Sequence, residues 1–109
     1  MFQIDEEEVQ AAFDVLHSGE HAKARATYEY AEKRLKVALA RALKAAEGKT
    51  VSERENNALL SEDYQKALTS FRLLAENYYT ERDRREAAVA VIDAYRTQRS
   101  DMRAMRNVA

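Results

Sequence analysis

His17 and His21 stand four residues apart, the separation that brings two imidazoles onto one helical face where they can hold zinc, with Glu20 beside them as an oxygen donor. Gly19 between them spoils that geometry, and Ser18 follows the first histidine where a zinc protease carries its glutamate base. The acid run from Asp5 to Glu8 lacks the alternating oxygens and central glycine of a calcium loop. Gly19 and Gly48 are isolated, so no glycine loop cradles a phosphate, and no nucleophile has a base and an orienting partner. These residues predict no metal, no cofactor and no enzyme.

The arginines have a different chemistry. Arg82-Asp83-Arg84-Arg85-Glu86 is followed by Arg96, Arg99, Arg103 and Arg106, the last three spaced by four and three on one helical face. Such a row tracks phosphates along a nucleic acid, each contact releasing counterions. Asp93 and Asp101 interleave with it, however, and a solvated or ion-paired face accounts for the same residues. Arg84, Arg85, Arg96, Arg99, Arg103 and Arg106 are therefore the candidate surface for a nucleic acid or another anionic partner. The six tyrosines offer stacking platforms beside these bases. Tyr28, Tyr64, Tyr78 and Tyr95 fall on apolar seams and read as core aromatics, which leaves Tyr30 and Tyr79 to test.

The elements that position them follow from the punctuation of the chain. From Thr50 onward, 60 residues pass without a Gly, Pro or Cys. A helix from 62 to 106 would be about 68 Å long, more than a compact domain of this size spans. A first helix is expected over 5–17, with acids in its first turn and Val9, Phe13 and Leu16 on one face, closed by Ser18-Gly19. A second is expected over 20–47, where Ala24, Tyr28, Ala31, Leu35, Ala38, Ala42 and Ala45 alternate steps of four and three, ended by Gly48. Both Thr50-Val51-Ser52-Glu53 and Ser52-Glu53-Arg54-Glu55 fit a capping box, opening a short helix over 52–60. Ser61-Glu62-Asp63 signals a further start, with Tyr64, Leu68, Phe71, Ala75, Tyr78, Val89, Ile92 and Tyr95 on a broad stripe. The expected fold is all-α, a single domain over 1–109 built as an antiparallel, coiled-coil-like hairpin of long helices with a short N-terminal helix. Ala31, Leu35, Ala38, Phe71, Val89 and Ile92 are its expected core or interface. Val9, Phe13 and Leu16 are expected to cover Val89, Ile92 and Tyr95, with a two-fold partner as the competing solution.

So much of that core is alanine that an interface between subunits is expected to add stability, giving a homo-oligomer of two or more copies and a protein partner. The net charge of −1 hides an uneven distribution: −6 over residues 1–20, +4 over 21–47, −2 over 48–81 and +3 over 82–109. The acidic start and Arg-rich end are complementary. The lack of cysteine, of a basic leader and of an apolar run of membrane-spanning length makes the cytoplasm the expected compartment, with no membrane contact.

Residues 47–66 (EGKTVSERENNALLSEDYQK) and 84–106 (RREAAVAVIDAYRTQRSDMRAMR) resemble a group of small uncharacterised helical proteins from tailed phages and prophages. The shared pattern is Ser52-Glu53-Arg54-Glu55, Ala58-Leu59, Ser61-Glu62-Asp63-Tyr64, and Ile92 followed by Arg96-Thr97-Gln98. Genes of that group often neighbour phage recombination genes, including those of single-strand annealing proteins. The resemblance thus implies a non-enzymatic accessory or adaptor in phage DNA recombination or nucleic-acid metabolism, working in the host cytoplasm. It carries over no catalytic residue and leaves residues 1–20 outside. Two alternatives remain from the residues themselves. One is a small phage inhibitor of a host defence or transcription protein, presenting Glu6, Glu7, Glu8, Asp14 and Glu20 as a DNA-like face; the other is a structural assembly protein.

Overall fold

The computed structural model describes residues 3–108, which form four α-helices and no strand. They are α1 (Glu6–His17), α2 (Glu20–Ala45), α3 (Val51–Leu60) and α4 (Glu62–Val108). The all-α expectation is met, and both expected breaks are real. Asp5 caps α1, its carboxylate accepting from the Glu8 amide at 2.8 Å, and three glutamates fill the first turn where the helix dipole favours them. Gly19 then takes φ +75°, a left-handed conformation that glycine adopts at little cost and that interrupts the helix. At the other break, Ser61 is extended (φ −62°, ψ 146°), and its hydroxyl donates to the Ala58 carbonyl while accepting from the Tyr64 amide.

The turn between α2 and α3 differs from the expectation in two ways. Helix α2 stops at Ala45 rather than at residue 47, and Gly48 has no positive φ. Side chains of α3 hold this turn from outside: Asn57 donates to the Glu47 carbonyl at 2.7 Å and Arg54 to the Gly48 carbonyl at 3.0 Å. A Cβ on Gly48 would lie 2.9 Å from the Glu53 Cβ and 3.0 Å from the Arg54 nitrogen, so glycine is required there for space. Of the two capping boxes, the first is used. Thr50 accepts from the Glu53 amide at 3.1 Å, and Glu53 accepts from the Lys49 amide at 2.7 Å, starting α3 at Val51 instead of Ser52.

The chain divides into two compact units, Lys23–Tyr79 and the residues up to Ala22 together with those from Thr80 onward. We call them the hairpin unit and the end unit. In the hairpin unit, α2 runs antiparallel to the first part of α4: Tyr28 stacks on Tyr78, whereas Arg41 and Ala42 lie beside Asp63. Its seam follows the expected positions from Ala24 to Ala42, whereas Ala45, also expected there, is exposed. Ala24 and Ala31 are buried, Leu35, Ala38 and Phe71 are half-buried, and Tyr64 and Ala58 close the far end.

In the end unit, α1 packs antiparallel along the second part of α4. Its core is Ala12, Ala88 and Ile92, flanked by Phe13, Val15, Leu16 and Val91. Of the expected contact, Phe13 and Leu16 do pack against the cluster that holds Ile92 and Val9 is buried, but Ala12 and Ala88 share its centre and Val89 and Tyr95 are only half-buried. Small residues at a helix crossing let the axes approach and seat one larger side chain, here Ile92. Beyond α1 the contact continues through the Gln98 side chain, which accepts from the Ile4 amide at 2.9 Å and donates to the Ile4 carbonyl at 3.0 Å.

Candidate nucleic-acid interface

Helix α4 sets the arginines by its period alone. Arg96, Arg99 and Arg103 occupy positions i, i+3 and i+7 and, with Tyr95, Ser100 and Glu6, line an open groove of 550 Å³ in the end unit. Arg99 lies over the Tyr95 ring, its guanidinium carbon 5.9 Å from the centroid, and an Nη sits 3.5 Å from the hydroxyl. That contact leaves most of the Arg99 fork open. Asp93 and Asp101 do not neutralise this row. Among the described residues, none of Arg96, Arg99, Arg103 and Arg106 forms an ion pair. Helical angle explains this for Asp101, which projects away from the arginine face, whereas Asp93 stands three residues before Arg96, within reach of an i,i+3 pair, and forms none among the described residues.

The structure does not bring all six candidate arginines together. Arg84 and Arg85 precede Arg96 by more than ten residues of helix, about 16 Å or more along the axis. Arg84 lies 3.9 Å from Glu81, and Arg82 lies 3.4 Å from Asp83 and 4.0 Å from Glu86. This part of α4 is charge-balanced. Arg106 extends the row of Arg99 and Arg103 along the helix, exposed beyond the groove.

No protein family model, no curated protein and no solved structure matches this chain. The site must therefore be argued from its own residues. The Nδ1–H of His17 donates to the Phe13 carbonyl, 2.8 Å away, and no group of three or more metal-ligating side chains occurs among the described residues. No helix among them is long and apolar enough to cross a membrane.

The tyrosines divide differently from their seam positions. Tyr64 is buried, but Tyr28, Tyr78 and Tyr79 form a cluster with Phe71, with centroid separations from Tyr28 of 4.8 Å to Tyr78, 5.6 Å to Phe71 and 6.0 Å to Tyr79. Hydrogen bonding to Tyr79, and then to Glu32, pushes the Tyr28 phenol well above its ordinary range, because each partner favours the protonated hydroxyl. Tyr79 thus touches the cluster from its rim and stays 43% exposed, while Tyr30 stands outside it at 63%. Sequence reasoning missed Gln98, since a glutamine bonding backbone 94 residues away leaves no local signal.

Proposed function

We propose that this chain is a non-enzymatic accessory protein that binds single-stranded nucleic acid, with Arg96, Arg99, Arg103 and Arg106 on phosphates and Tyr95 at the groove edge. The observation that carries the reading is the unneutralised arginine row along an open groove. Four guanidinium groups held at helical spacing repel one another, a cost that a polyanion removes. Single strands suit the groove, since a flexible backbone follows a helix ridge that a rigid duplex meets only at points. The resemblance to phage proteins encoded near recombination genes agrees with such a role, and an adaptor that brings another protein to the strand is its natural extension.

The test replaces Arg99, Arg103 and Arg106 together by glutamine and follows a labelled single-stranded oligonucleotide by anisotropy over a range of salt. Loss of three phosphate contacts should make the slope of log K against log salt shallower by roughly 2. An unchanged slope would place the contact elsewhere.

A further inference from the structure

One seam residue before each of Ala24, Tyr28, Ala31, Leu35, Ala38, Ala42 and Ala45 stand Lys23, Thr27, Tyr30, Arg34, Val37, Arg41 and Lys44. This second stripe keeps the same alternation of four and three and contains no acid. It lies one helical step from the buried seam, at the edge where α2 meets α4. Tyr30 is 63% and Val37 44% exposed. Arg34, Arg41 and Lys44 are exposed, and none forms an ion pair among the described residues. Among the other cations of the hairpin unit, Arg25 pairs with Glu29, Lys66 with Glu62 and Arg72 with Glu76, each at 3.0 Å, while Lys33, Lys36 and Lys49 are exposed without an ion pair among the described residues but stand off the stripe and away from the groove it borders.

The stripe borders a groove of 360 Å³ between α2 and α4. Its deeper lining is apolar, with Ala31 buried and Leu35, Ala38, Ala67 and Phe71 half-buried, and exposed Tyr30 and Arg34 border it on the α2 side. Asp63, beside Arg41 in a separate groove, bounds the stripe at its far end. An exposed tyrosine ring beside a cation and an apolar trough offers a face for a planar base, while the cations beyond it meet phosphates. A polyanion without bases would use the cations and leave the ring idle.

We propose that this edge of α2 is a second binding surface for single-stranded nucleic acid, in which Tyr30 stacks on a base seated over the Ala31–Ala67 lining and Arg34, Arg41 and Lys44 contact phosphates. It takes its ligand class from the reading of the α4 arginines but uses none of their residues. Charge complementarity selects the occupant: the stripe carries only positive charge, and a helical protein partner would have to be strongly acidic along its whole contact.

The experiment measures anisotropy of a labelled 20-residue single-stranded oligonucleotide, with inorganic polyphosphate as a competitor, on the full chain and on Tyr30→Ala, Tyr30→Phe and Arg34→Gln/Arg41→Gln. Tyr30 is exposed, so circular dichroism should show the fold intact in both Tyr30 variants. Tyr30→Ala should weaken oligonucleotide binding by about tenfold, with Tyr30→Phe near the parent and polyphosphate affinity unchanged, because one stacking contact is lost. Arg34→Gln/Arg41→Gln should make the salt slope shallower by roughly 1.4. The Tyr30→Ala effect should persist when Arg99, Arg103 and Arg106 are already glutamine. Binding by the parent that is indifferent to Tyr30→Ala overturns this surface and leaves the α4 reading standing; a parent that binds no oligonucleotide at low salt overturns both. Equal losses for polyphosphate and oligonucleotide in Tyr30→Ala would also overturn it, by removing the stacking role.

Discussion

The two units handle the same ingredients differently. The hairpin unit joins helices through a seam of alanines and a cluster of Tyr28, Phe71, Tyr78 and Tyr79, and it ties several cations to glutamates four residues away. The end unit has a smaller core around Ala12, Ala88 and Ile92, balances its charges between Glu81 and Glu86, and then carries an arginine row with no ion pair among the described residues. In both, cations separate into two kinds. Those with a carboxylate four residues away support the helix by a few tenths of a kcal/mol each, and those aligned in acid-free rows add nothing to the fold. The proposed binding surfaces are built from the second kind.

Replacing the one large side chain in the end core breaks the comparison most severely. Ile92→Ala should cost about 2–4 kcal/mol, and native-state hydrogen exchange should show protection lost in α1 and in α4 from Thr80 onward before α2 and α3. Uniform loss would mean that the two units unfold as one. Gln98→Ala should cost about 1–2 kcal/mol by removing both hydrogen bonds to Ile4, with urea denaturation as the readout; a cost near zero would show that Ala12 and Ile92 fix α1 without the Gln98 hydrogen bonds.

The smallest effect sharpens the hairpin side. The Tyr28 phenol is raised in the folded state, so the folded protein holds its proton where the unfolded chain has lost it. Its contribution to stability is complete below the ordinary tyrosine value near 10 and declines as pH rises above it. Titration followed by phenolate absorbance should show one tyrosine ionising after the others, and Tyr79→Phe should bring it down. Coincident ionisation of all six would contradict the cluster geometry.

The helices were legible because their boundaries are local. Asp5, Ser18-Gly19 and Ser61 each act on backbone groups within a few residues. The end of α2 was not, since Asn57 and Arg54 reach back ten and six residues to hold its turn. Nor was the choice among alanines. Ala12, Ala58 and Ala88 are buried, whereas Ala11, Ala87 and Ala90 are exposed, and composition cannot separate them where both faces of a helix carry alanine. At the candidate interface the period placed Arg99, Arg103 and Arg106 on one face, but only the structure shows which arginines are neutralised by neighbours. The row on α2 has no sequence signal of its own for a related reason: it repeats the period of the alanine seam one residue ahead, and only the contacts show which of its cations lack a carboxylate partner.

The central claim is that the acid-free cation rows exist to meet a polyanion. The most direct measurement is the affinity of the intact chain for a single-stranded oligonucleotide from low to high salt. The account predicts binding at low salt that weakens linearly on a log–log scale, with a slope of roughly −3 or steeper. No binding at low salt, or binding indifferent to salt, would contradict it.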